Sequence, residues 1–176
     1  MKKIFTEIVI PVLIAIVLSI LVNKFLFFKI KVPTLSMYPT IKTGDQIIVT
    51  RTYNLKNLKR GDLIVFYSRE LKDNLIKRLI GLPGDKVEVT AAGEVIINGV
   101  SHKEPYVVNT EAYMKDFQVP SNHYLFFGDN RSDSNDSRKW RNPYIEGKDI
   151  KGKAQFIIYP FSRFGSFVTG EKALNH

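Results

Sequence analysis

Leu75-Ile76-Lys77-Arg78-Leu79-Ile80, closed by Gly81-Leu82-Pro83-Gly84-Asp85, reads as a β-strand that runs into a turn. Side chains alternate across a strand, so Lys77 shares a face with Leu75 and Leu79, and Arg78 shares the other with Ile76 and Ile80. Both faces of this strand carry a cation among apolar residues. Strand parity does not choose between the two, but chemistry does. Arginine keeps its proton in a protein, whereas a lysine among apolar neighbours tends to lose its own and can then act as a base. The competing reading is an edge-strand lysine that blocks aggregation, and the isolated strand favours it.

Similar segments extend in both directions. Gln46–Thr50 follows Thr43-Gly44-Asp45, and Asp62–Tyr67 follows Lys59-Arg60-Gly61. Glu94–Ile97 enters the hairpin signal Asn98-Gly99, Tyr124–Phe127 precedes Gly128-Asp129-Asn130, and Ala154–Tyr159 closes the series. Helical pattern is nearly absent after Val32, which predicts a mainly β domain of antiparallel sheets. Residues 86–122 read as a smaller β excursion inserted between two chemically richer stretches.

Before Val32 the pattern differs. Ile4 to Phe28 is an apolar run with soft edges at Glu7, Asn23 and Lys24, long enough for a membrane span of ~20 residues if tilted. No small-x-small cleavage site follows it, as a removable signal peptide would require, and no polar face marks it as a buried helix. A transmembrane anchor fits best. The domain reading is therefore 1–31 for tip, anchor and linker, and 32–176 for the β domain. Lys2 and Lys3 before the span nearly balance Lys24, Lys29 and Lys31 after it, so charge alone does not orient it.

The chain has 176 residues, 44% of them apolar, which suits one domain with an appendage. With no cysteine there is no disulfide, thiolate zinc site or cysteine nucleophile. The net charge of +9 is scattered and lacks the aromatic interleaving of a nucleic-acid site; anionic lipid and a plain solvated surface both remain open. Ser36, in Pro33-Thr34-Leu35-Ser36-Met37-Tyr38-Pro39-Thr40, is a nucleophile only if a base reaches it. His102, His123 and His176 stand in no catalytic context and lack metal-ligand spacing, so no Ser-His-Asp triad and no metal is expected. The stretch Gly128 to Arg138 is dense in short polar residues. It reads either as a self-bonded turn or as support for an amine and for buried arginines.

Together these segments do more than each alone. Ser36–Thr40, Gly61–Phe66, Lys77–Asp85 and Gly128–Arg131 with Ser134, Asp136, Ser137 and Arg138 follow one span in that order. This pattern closely resembles the bacterial type I signal peptidases, in the compact Gram-positive form, over nearly the whole chain. The resemblance implies the antiparallel β fold those enzymes share with self-cleaving Ser-Lys repressors. It also implies a Ser-Lys dyad with Ser36 as nucleophile and Lys77 as general base. Ser134 would orient the lysine amine, and Thr34 would add an oxyanion donor to the Ser36 N–H. Asp129 would pair with Arg78, and Asp136 with Arg138. Val32, Pro33, Met37, Ile41, Leu75 and Ile76 would bind substrate, the signal peptide of an exported preprotein cut after a small-x-small pattern such as Ala-x-Ala. No cofactor and no metal are implied; membrane lipid is, with the N-terminus cytoplasmic and the catalytic domain outside. A dedicated peptidase or an accessory protein for pilin or surface-fibre assembly is the alternative. Leu35, where small or polar residues are commoner, and the long Trp140–Ile145 connection depart from the family pattern. The late cluster of Phe156, Ile157, Ile158, Tyr159, Phe161, Phe164 and Phe167 is read mainly as core, with contact to the membrane surface as the alternative for some of it.

Overall fold

Three turns of one design launch three of the strands. In Lys42–Asp45, Lys59–Asp62 and Leu82–Asp85 the glycine before the aspartate has φ of 91°, 84° and 93°. The aspartate N–H bonds the carbonyl three residues back, at 3.1, 3.1 and 3.0 Å. This is a type II turn, in which the third residue must be left-handed. The aspartate carboxylate then accepts the N–H of the first turn residue, at 2.8, 2.9 and 2.6 Å. Each Gly-Asp pair thus fixes where the following strand starts.

A computed structural model describes residues 5–167. The Lys2-Lys3 tip and His176 lie outside them. A π-helical turn, Phe5–Val9, leads into helix α1, Ile10–Phe25. Twelve strands follow among the described residues. They are β1 Phe27–Lys31, β2 Gln46–Arg51, β3 Leu63–Ser68, β4 Asp73–Gly81, β5 Lys86–Val89 and β6 Val95–Ile97. The rest are β7 Val100–His102, β8 Lys115–Gln118, β9 His123–Phe127, β10 Tyr144–Glu146, β11 Ile150–Tyr159 and β12 Gly165–Ser166. The large sheet has the order β1-β2-β11-β3-β4-β9-β10, with β12 against β11. A second sheet, β7-β6-β5-β8, is built from Lys86–Gln118. All strand pairs in both sheets are antiparallel.

β4 lies between β3 and β9, in the interior of the large sheet. Lys77 opposes Ile64 and Arg78 opposes Leu63. Its last six residues, Ile76 to Gly81, are all buried, so the edge-strand reading of Lys77 is excluded by its place in the sheet. One core cluster, including Met37, Ile41, Ile47, Leu63 and Ile76, fills the side from which the Ser36 segment approaches. Another, around Phe66, Phe126 and Trp140, fills the opposite side; Phe66 and Phe126 stack at 4.4 Å. A third joins the second sheet to β9.

Two expectations change. Phe27–Lys31, taken with the linker, is a strand of the large sheet: Phe28 and Ile30 face the first core cluster, while Phe27, Lys29 and Lys31 face outward. Hydropathy merges it with the helix before it. The late aromatic cluster is mostly exposed rather than core, with Phe156 at 46%, Tyr159 at 49%, Phe161 at 81% and Phe164 at 68%; Ile157 and Phe167 pack inward. Helix α1 is apolar and exposed around its circumference, but it has 16 residues. Among the described residues no helix is long and apolar enough to cross a membrane. Its C-terminus is tied to the end of β2 and the residues just after it by Arg51 Nε to Lys24 O (3.0 Å) and Tyr53 Oη to Phe25 O (2.6 Å).

Candidate active site

Ser36 sits in the irregular segment between β1 and β2, and deep packing holds it there. Met37 and Ile41 are fully buried in the first core cluster, and the Ile41 N–H bonds Met37 O at 2.8 Å. These two side chains, expected to line a substrate pocket, are fully buried in the core and are absent from the lining of both clefts at the site. Thr34 and Leu35 remain exposed beside the serine.

From the neighbouring strand Lys77 extends its amine to this turn, and Lys77 Nζ is hydrogen-bonded to Ser36 Oγ. Both residues are buried, at 4% and 8% exposure. Burial pulls the Lys77 amine down to about 8; the charges of Asp136 and Asp129 oppose that shift without reversing it. Thr34 Oγ1 stands 3.3 Å from Ser36 Oγ. Ser134 Oγ is buried near the pair and helps hold the Asp136 carboxyl down, but it makes no hydrogen bond to the lysine amine in this geometry.

The arginines that flank the site are paired. Arg78 donates two hydrogen bonds to Asp129, at 2.7 and 2.6 Å, and one to Gly61 O at 2.9 Å. Arg138 likewise grips Asp136 at 2.9 and 3.0 Å. Burial pushes the Asp136 carboxyl up, but the Arg138 guanidinium and the Gly128 N–H outweigh it and hold it below the usual range. Two-pronged pairing of this kind offsets the cost of removing both charges from water.

Several supporting residues were not foreseen. Thr40 Oγ1 donates to Asp129 at 2.5 Å, and the Tyr106 ring lies 3.8 Å from the Arg78 guanidinium carbon. Tyr106 and Arg131 both donate to Glu104, at 2.8 and 2.7 Å. Asn130 binds the nucleophile segment directly: its N–H donates to Ser36 O and its side-chain amide to Leu35 O, both at 3.2 Å. Asn109 in turn donates to Asn130 Oδ1 at 2.9 Å. Asn130 lay in a stretch already singled out by its polar density. Nothing local marked Glu104, Tyr106 or Asn109, which reach the site only by folding back from the second sheet. Gly128 is required by close approach, since a Cβ there would overlap Ser134 Oγ and come within 2.5 Å of Ser36 O.

Two clefts meet at the Ser36–Lys77 pair. The first, about 360 Å³, is lined by Ile30, Val32, Pro33, Val65, Leu75 and Ile76 among others. The second, about 670 Å³, shares Pro33, Thr34, Leu75 and the catalytic pair with it and extends over Leu35, Leu71 and Ser132 to Asn135. A hydroxyl bonded to an amine that can be neutral near pH 8, beside a cleft, is the equipment of a serine hydrolase with a lysine base.

The comparisons agree with that class. Residues 5–159 match the family model described as signal peptidase, peptidase S26. Signal peptidase I P of Bacillus subtilis subsp. natto is 36% identical over 163 residues, covering 86% of this chain and 87% of that protein. Signal peptidase I S of Bacillus subtilis strain 168 is 34% identical over 174 residues, covering 92% of each. The crystal structure of a signal peptidase I from Enterococcus faecalis V583 is 34% identical, with a TM-score of 0.48, and covers 57% of this chain and 98% of that one. The chain belongs to the signal peptidase family, peptidase S26, a family of serine proteases.

Proposed function

We propose that this chain is a membrane-anchored endopeptidase that removes signal peptides from exported preproteins, with Ser36 and Lys77 as its catalytic pair. The hydrogen bond between Ser36 Oγ and the buried Lys77 amine carries the reading. Neutral Lys77 takes the Ser36 proton as Oγ attacks the scissile carbonyl. The resulting oxyanion is met by the Ser36 N–H and the Thr34 hydroxyl. The lysine proton then passes to the departing amine, leaving an acyl-serine. Lys77, neutral again, takes a proton from water, which hydrolyses the ester and restores Ser36.

The leader would bind by strand addition in the first cleft, between Val32–Thr34 and Leu75–Lys77. Buried Val32 and Ile76 leave only shallow space, which suits the small side chains of a small-x-small site. Helix α1 and the turn before it, 21 residues from Phe5 to Phe25, would form the anchor, with the N-terminus cytoplasmic and the β domain outside. Exposed Phe156, Phe161 and Phe164 would touch the lipid surface beside it. Ser134, buried beside the pair, would steady the amine once its side chain turns toward it. Purified full chain should cut a preprotein once, after the small-x-small site, and Ser36→Ala should not; a cut elsewhere, or cleavage retained in Ser36→Ala, contradicts the proposal.

A further inference from the structure

The proposed leader path uses only one of the two clefts. The first runs back along Ile30, Lys31 and Val32 toward β1, which begins at Phe27, two residues after α1 ends. A leader whose apolar part lies in the same membrane as α1 enters from that end. The chain on the far side of the scissile bond then leaves through the second cleft, whose lining includes Leu35, Leu71, Leu75, Ser132, Asp133 and Asn135.

Two of these leucines have no structural duty. Leu35 is 48% and Leu71 37% exposed, and neither belongs to a core cluster. Both stand on backbone that is pinned: Asn130 holds Leu35 O at 3.2 Å, and the Leu71 N–H is held by Ser68 Oγ at 3.2 Å. Apolar groups on fixed backbone beside a reacting serine bind a ligand at little ordering cost.

We propose that the second cleft binds the start of the mature chain, and that Leu35 and Leu71 make the enzyme favour an apolar side chain within its first two residues. This rests on the catalytic reading above and narrows its substrates to preproteins of that type. An apolar contact in a half-open cleft discriminates by about 10-fold.

The test uses the full chain in detergent micelles and peptides that share one leader half ending Ala-x-Ala. Leucine or serine follows at the first or second mature position. The wild type is expected to show kcat/KM about 10-fold higher for leucine, with a reduced ratio in Leu71→Ser and a ratio near one in Leu35→Ser/Leu71→Ser. Because each ratio is internal to one preparation, a partly unfolded variant does not distort it. Equal kcat/KM in the wild type, or an undiminished ratio in the double variant, overturns this inference and leaves the catalytic reading standing. If no peptide is cut, both fall.

Discussion

Lys77 is a cation-forming group in a place that disfavours a cation. An unfolded chain holds its proton up to about 10.5, the folded chain only up to about 8. Between those values only the unfolded state binds the proton, so stability rises with pH across that window. The penalty is full below about 8 and gone above about 10.5. Lys77→Met should therefore stabilise the protein at pH 7, by on the order of 3 kcal/mol at most, and make little difference near pH 11. Denaturant melts of both proteins across pH measure this, and a pH-independent difference would show that burial does not penalise the charge. Thr34 is the second residue whose role can be isolated. Thr34→Val keeps its shape and removes its hydroxyl, so kcat should fall about 100-fold with KM little changed; a KM effect alone would make it a binding residue. Lys77 and Arg78 illustrate what the sequence shows at this scale. Alternation put both among apolar neighbours and acid–base chemistry assigned the base to lysine, but burial itself was not legible, since the isolated strand read better as an edge. Side-chain direction was not legible at Met37 and Ile41, because an apolar residue near a cleft serves equally as wall or as anchor.

At the scale of elements, the turn Gly128–Arg131 is the part on which the site depends. It supplies Asp129 to Arg78, Asn130 to the carbonyls beside and within Ser36, and Arg131 to Glu104. Gly128→Ala should abolish cleavage, because the added methyl meets Ser36 O and Ser134; an active, folded Gly128→Ala enzyme would refute the contact. The loop carrying Glu104, Tyr106 and Asn109 braces this turn from the second sheet. Removing the ring in Tyr106→Ala should cost about 2 kcal/mol and lower kcat through Arg78, the neighbour of Lys77. Tyr106→Phe keeps the ring on the guanidinium and should restore most of both. Equal damage in the two variants would assign the effect to the Glu104 hydrogen bond instead. Strand existence was readable from period-two alternation and Gly-Asp turns. The brace was not, since its contacts join residues over twenty positions apart with no local pattern. β1 was hidden for another reason: its alternation follows a uniformly apolar helix without a break.

For the whole molecule, the helix leads through β1 to the first cleft, and the second cleft continues past Ser36, which defines a direction. A leader held in the membrane would meet the first cleft, and the mature chain would leave by the second. Spheroplasts treated with external protease should lose the β domain and keep a short N-terminal fragment; full protection would invert the orientation. Composition and order of motifs were enough to read a mainly β catalytic domain after an apolar segment. They could not give the strand order, because β11 enters between β2 and β3 by a pairing that only three-dimensional packing selects. The account as a whole stands on a neutral lysine activating a serine. The pH dependence of kcat/KM on one cleaved leader peptide, for wild type and Lys77→Arg, tests this most directly. The wild-type profile should rise through about pH 8 as the amine loses its proton, and Lys77→Arg should be inactive throughout, since its guanidinium stays charged. A flat profile from pH 6 to 10, or substantial activity in Lys77→Arg, would contradict it.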